Sequence, residues 1–290
     1  MAAITAQMVK ELRDMTGAGM MECKKALTEA DGNMEAAVDI LRTRGLATAV
    51  KKAGRETNEG LVVAVMANDA KTAALVEVNC ETDFVSRNEN FAAFANKIAS
   101  AVLAGAPEDI DALKTIEIDG QTVEALVTEA IFTIGENIQI TRFVRKSTDS
   151  GAFSSYIHGG GRLGILVEFA FANPATGLSD AFKTLGKDIA MQVAAANPRE
   201  VSRDCFAAEV IEHEKEIYKV QAAETKKPEN IQEKMVEGRV ETFYKEFALL
   251  DQAFIKDPGI SVASYINKAA KELGDEITVK SYERFALGQH

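Results

Sequence analysis

A pattern that occurs twice constrains this chain more than any single motif. Gly60-Leu61-Val62-Val63-Ala64-Val65-Met66 and residues 72–78 are short β-rich runs on either side of Asn68-Asp69, the signature of a hairpin. Two stretches of helical periodicity follow, about 91–103 and 122–133, and Gly135-Glu136-Asn137-Ile138 turns into a third strand reaching Phe143. The arrangement then returns: residues 151–157 and 164–169 form a second hairpin, and Gly274-Asp275-Glu276-Ile277 turns into a last strand reaching Tyr282. Leu75-Val76-Glu77 answers Leu166-Val167-Glu168, and the two Gly-acidic-polar-Ile turns answer each other. The expected fold class is α+β, with two similar core subdomains, each a small antiparallel sheet covered by helices.

Other segments surround this repeat. Residues 4–45 read as three short helices. Met8, Leu12 and Met15 stripe the first, Thr16-Gly17-Ala18-Gly19 breaks the pattern, and Met21 to Leu27 continue on a second. Asp31-Gly32-Asn33 turns into a third helix, with Gly45 expected as its C-cap. So small a bundle resembles the ubiquitin-associated type of domain, whose first loop and third helix form a docking surface. That likeness makes Met20 and Met21, with Arg13 nearby, candidates for exposure, although methionine as a gap filler in a thin core fits at least one of the pair. Residues 46–58, with Lys51-Lys52-Ala53-Gly54-Arg55, read as a basic linker. Within the second copy, Phe206, Val210, Ile217 and Val220 face Ile231, Met235, Val236, Val240, Phe243 and Phe247 across Lys226-Lys227-Pro228. That is a helical hairpin, which closes on itself or packs on another chain. The expected division is 1–45, the linker 46–58, a core subdomain 59–147, a second one of 148–198 with 251–290, and the inserted hairpin 199–250.

Composition narrows the function. The 290 residues carry a net charge of −11, which argues against neutralising phosphates, so direct nucleic-acid or anionic-membrane binding is not expected. No apolar run has the length of a membrane span and the N-terminus lacks signal-peptide blocks, so a cytoplasmic protein is expected. Cys23, Cys80 and Cys205 lack CxxC spacing and His158, His213 and His290 are scattered, so no metal site is expected. Gly159-x-Gly161-x-x-Gly164 has the spacing of a dinucleotide loop, but a strand follows it where a helix N-terminus is required. It reads as a hairpin loop with His158 at its edge. No GxxxxGK[ST] occurs and no carboxylate pair can be placed about a pocket. Neither a cofactor nor a chemical step of its own is expected; the residues read as an interaction protein.

Asn79-Cys80-Glu81-Thr82-Asp83-Phe84-Val85 sits where a strand hands over to a helix. Spacing alone favours Asp83 or Ser86 capping that helix with Phe84 packed beneath it, and leaves open a projecting Phe84.

Three segments carry a closer likeness. Met15 to Leu27 (MTGAGMMECKKAL), Glu77 to Val85 (EVNCETDFV) and Lys234 to Arg239 (KMVEGR) resemble the elongation factor Ts family. The resemblance implies a guanine-nucleotide exchange factor for elongation factor Tu, built from an N-terminal three-helix module, two core subdomains and a protruding hairpin used for dimerisation. It implies that Asp83 and Phe84 enter the partner's GTPase domain, Phe84 as a wedge near the magnesium and phosphate side of the nucleotide, with Thr82 and Val85 completing the motif. It also implies that Arg13, Met20 and Met21 lie against a helix of that domain, and that His158 and Gly159 meet another domain of the partner. Two rivals stand beside it: an adaptor acting through its N-terminal module, and an enzyme with Cys80 as nucleophile.

Overall fold

The computed structural model describes residues 4–289. Helices α1 (Ala6–Thr16), α2 (Met20–Glu29) and α3 (Met34–Lys52) come first. The Thr5 hydroxyl accepts from the Met8 amide, the Asn33 side chain accepts from the Ala36 amide, and Gly17 ends α1 at φ 66°. Val9, Leu12, Ala18, Cys23, Ala26, Leu27, Ala37 and Leu41 form their core. Three expectations need correction here. Gly45 does not end the third helix; it lies inside α3, which covers the first half of the expected linker. Gly45 is buried where α3 passes Thr128 and Phe132 of α7, within a helix that continues despite the low helix propensity of glycine. Met15 is exposed instead of lining the stripe, whereas Met20 and Met21, at 53% and 66% exposed, are the exposed residues they were expected to be, and neither fills a gap in the core. Met8 and Met34 are the methionines that pack against this core.

The chain continues through β1 (Glu59–Met66), β2 (Thr72–Cys80), α4 (Asp83–Ser86), α5 (Glu89–Gly105), α6 (Ile110–Thr115), the short strands β3 (Glu117–Ile118) and β4 (Gln121–Thr122), α7 (Val123–Ile134) and β5 (Ile138–Ser147). Then come β6 (Ala152–His158), β7 (Leu163–Ala170), α8 (Pro174–Leu178), α9 (Asp180–Ala196), α10 (Ala208–Glu224), α11 (Glu229–Phe247), β8 (Ala253–Phe254), β9 (Asp257–Ser261), α12 (Val262–Leu273) and β10 (Thr278–Ala286). Two antiparallel three-stranded sheets result, in the orders β1-β2-β5 and β6-β7-β10. In each, a hairpin is followed by helices, and the last strand pairs with the hairpin's second strand. Even the irregularities correspond. The register of β2 and β5 shifts just after Glu77, and that of β7 and β10 shifts beside Glu168. Helices α5 and α9 have 17 residues each, and α7 and α12 have 12 each.

The sheets lie face to face. Along β2, Ala73 and Leu75 join Val62, Phe153, Leu166 and Phe285 between the sheets, while Ala74, Val76, Val78 and Cys80 pack on α5. Burial on both faces explains why Ala73-Ala74-Leu75-Val76 of β2 is a continuous apolar run. Close approach is built in at Gly164, where a Cβ would fall 2.4 Å from Val62. One charge is enclosed there: the Glu77 carboxylate, with no exposure, accepts from Arg142 Nε at 2.8 Å and from the Gly288 amide at 3.3 Å, while Arg142 Nη2 donates to the Ala286 carbonyl.

Helices α10 and α11 form the inserted hairpin. Ala222, Val236 and Phe243 are buried along it, whereas Val210, Ile217, Val220 and Ile231 remain exposed. Phe206, expected on the helical stripe, precedes α10 and packs edge-on against Phe243 at 5.2 Å. The base is fixed by Arg203, paired with Glu241 and Asp251, and by a buried Gln192–Gln252 hydrogen bond. No helix among the described residues is long and apolar enough to cross a membrane.

Candidate functional site

Strand β2 delivers the chain to a single helical turn. Thr82 stands at the N-cap position of α4 in extended conformation, and the Ser86 and Arg87 amides donate to the Thr82 and Asp83 carbonyls. Expected capping by Asp83 or Ser86 does not occur: Asn88 caps α5, its side chain accepting from the Asn90 amide at 2.8 Å. Because α4 ends before α5 begins, Phe84 is not drawn beneath the longer helix. Its side chain is 85% exposed, against the packing that spacing alone favours. Val85 packs partly on the core beneath β2, so the turn has one anchored and one free apolar residue. Asp83 pairs with Arg87 at 2.9 Å.

Two carboxylates hold this turn to the end of α7. Glu136 Oε2 accepts from the Glu81 and Thr82 amides, both at 3.0 Å, and Oε1 accepts from the Thr82 hydroxyl at 2.6 Å. In return Glu81 accepts from the Asn137 amide at 2.6 Å and pairs with Arg55 at 3.4 Å. The Asn137 amide, followed by Arg55, holds the Glu81 carboxyl below the ordinary carboxylate range. Lys52 at the end of α3 donates to the Gly135 carbonyl, and the Asn137 side chain donates to the Arg55 carbonyl at 2.8 Å.

The other sequence candidates adjoin these elements. Gly17, in the loop between α1 and α2, is close to Thr133 near the end of α7, and Met15, Met20 and Met21, on either side of that loop, are exposed. Arg13, in the last turn of α1, is also exposed. His158 ends β6, its Nδ1 3.0 Å from the Tyr156 hydroxyl. Gly159, Gly160 and Gly161 all take positive φ, at 60°, 66° and 95°, which makes them a tight hairpin turn. The Gly161 carbonyl accepts from the Val62 amide at 2.7 Å, and Arg162 pairs with Glu59, the register partner of Cys80. The glycine turn and the Phe84 turn therefore flank the same end of β1.

Cys80 is buried, which, with the Glu136 charge, pushes its thiol up to about 12. A thiol so held offers no thiolate nucleophile near neutral pH. No group of His, Cys, Asp and Glu suited to a metal ion occurs among the described residues. Sequence reasoning missed Glu136 and Glu81 as site residues, although the recurrence of the Gly-acidic-polar-Ile turn pointed at the first.

The family described as elongation factor TS matches residues 81–289. The chain is 48% identical over 290 residues to elongation factor Ts of Trichlorobacter lovleyi, covering 99% of this chain and 93% of that protein. It is 48% identical over 288 residues to elongation factor Ts of Syntrophotalea carbinolica and 47% identical over 287 residues to that of Clostridium perfringens, with the same coverage in both.

Proposed function

The chain belongs to the elongation factor Ts family of translation factors, and from that membership we propose that it binds elongation factor Tu carrying GDP and speeds the departure of the nucleotide. The observation that carries the reading is Phe84: a large apolar side chain, 85% exposed, on a turn held by three hydrogen bonds to one carboxylate. An exposed phenylalanine on an anchored support retains the apolar area that burial in a partner would use.

A GTPase holds its nucleotide through backbone amides around the phosphates and a magnesium ion bridging them to protein oxygens. Release needs no covalent step. A partner that binds better to the conformation with displaced metal ligands weakens nucleotide binding, and nucleotide weakens the partner by the same factor. In this reading Phe84 inserts beside the magnesium and phosphate site, Asp83 supplies a hydrogen-bond acceptor, and Thr82 and Val85 hold the turn. Arg13, Met20 and Met21 dock on the GTPase domain, while His158 and Gly159 touch a second domain of the partner. The N-terminal helices act as a ubiquitin-associated-like docking module, and the α10–α11 hairpin, with exposed Val210 and Val220, supports self-association. The factor performs no chemical step of its own and works in the cytoplasm.

The test is a stopped-flow trace of labelled GDP leaving elongation factor Tu with and without this protein. Acceleration that saturates with its concentration is expected; an unchanged release rate contradicts the reading. The exposed methionines favour one other reading, an adaptor acting through the N-terminal module, for which removal of residues 1–45 abolishes activity while Phe84 is dispensable.

A further inference from the structure

We infer that Glu136 is a positioning residue that presents Phe84 to the partner, an inference that rests on the exchange reading above. Three donors, the Glu81 and Thr82 amides and the Thr82 hydroxyl, converge on its carboxylate. A carboxylate accepts at both oxygens, whereas an amide side chain would turn an NH2 group toward a donor. Glu136 itself sits on a fixed base, between the Gly135 C-cap of α7 and β5, with Lys52 on the Gly135 carbonyl. Phe84 makes no core contact that could set its direction, so the direction of the turn rests on the clasp at Thr82 together with Val85, which packs on the core beneath β2.

The internal repeat supplies a second observation. Asp275 follows the Gly274 C-cap of α12 as Glu136 follows the Gly135 C-cap of α7. Its Oδ1 accepts from the Ala172 amide at 3.2 Å, and its Oδ2 accepts from the Asn173 amide at 3.0 Å and the Thr176 hydroxyl at 2.6 Å. The chain it grips leads from β7 into α8, as the chain gripped by Glu136 leads from β2 into α4. A carboxylate clasp on the turn after the central strand thus occurs in both halves, and only one of the two turns ends in an exposed phenylalanine.

Loss of the clasp lets the turn sample other conformations, so the competent fraction falls and apparent affinity falls with it, while saturation still restores the competent complex. The experiment uses the full chain with elongation factor Tu loaded with labelled GDP, and compares Glu136→Gln, Asp275→Asn and Phe84→Ala. Glu136→Gln is expected to raise the half-saturating concentration about tenfold and leave the maximal rate unchanged. Its Ser86, Arg87 and Asn88 amides, none of them bonded to Glu136, should exchange hydrogen faster while those of Val76 and Val78 do not. Asp275→Asn should loosen only its own turn and leave the exchange curve unchanged. Native protection at residues 86–88 in Glu136→Gln, an unchanged half-saturating concentration, or a collapsed maximal rate each overturns the positioning role. Wild-type exchange by Phe84→Ala would instead defeat the reading of the site, a separate outcome on a separate variant. If Glu136→Gln does not fold, Thr82→Val removes one of the three donors and is read by amide exchange alone: faster exchange at residues 86–88 supports the clasp, and unchanged exchange overturns it.

Discussion

Phe84 and Cys80 lie four residues apart and have opposite surroundings, which sets what each can do. Cys80 is enclosed beneath α5 with its thiol pushed up to about 12, whereas Cys205 is exposed. Iodoacetamide at pH 8 should therefore label Cys205 quickly, and label Cys23 and Cys80 only after denaturation; rapid labelling of Cys80 in the native protein would restore its candidacy as a nucleophile. Glu81 predicts a pH dependence. Its carboxyl is held below the ordinary 4.5 in the folded chain, so it stabilises the turn above that value and the contribution is lost as pH falls through the lower folded value. Amide protection at residues 86–88 should accordingly hold above pH 4.5 and fade in stronger acid. The direction of Phe84 was not legible in the sequence. Its spacing fits a core residue, and the hydrogen bond that holds the neighbouring Thr82 joins residues 54 positions apart.

At the scale of elements, long amphipathic helices and both hairpins were legible, because their periods extend over enough residues to be counted. Helix α6, helix α8 and the β8–β9 ribbon were not, being too short to establish a period. Gly45 misled for another reason: a glycine buried within a helix looks the same in sequence as one that ends a helix. At this scale the tests fall on helix α2 and on the α10–α11 hairpin. Replacing Met20 and Met21 with alanine should leave folding intact, since both are exposed, and weaken complex formation while saturating factor still gives fast exchange. A lost maximal rate with unchanged binding would reverse the assigned roles. Removing α10 and α11 (residues 208–247), which spares the buried Leu249, should leave a folded core that sediments as a monomer, beside a full chain that self-associates; a full chain monomeric at every concentration would contradict the role of α10 and α11.

Across the whole molecule, the repeat foretold two sheets of like topology, but not that they would stack. Alternation is the signal for one buried face. Residues 73–76 of β2 lack it because the second face is covered by the other sheet, whereas Val76-Glu77-Val78-Asn79-Cys80 alternates and is buried on both faces all the same. Between the sheets Glu77 and Arg142 join the strand leading to Phe84 with the end of β10. Arg142→Met leaves a buried carboxylate without its cation and should cost about 3–5 kcal/mol in urea unfolding. A loss within error would mean that the pair is replaceable by the remaining amide donors. The account as a whole depends on a free Phe84 acting on a bound nucleotide. The measurement that reaches it most directly is GDP release from elongation factor Tu driven by Phe84→Ala, with thermal unfolding of the same variant. Because the side chain is 85% exposed, the melting temperature should barely move. Burying a phenylalanine is worth about 1.5–3 kcal/mol, so exchange efficiency should fall about ten- to a hundredfold. A strongly destabilised variant with normal exchange per folded molecule would contradict the account.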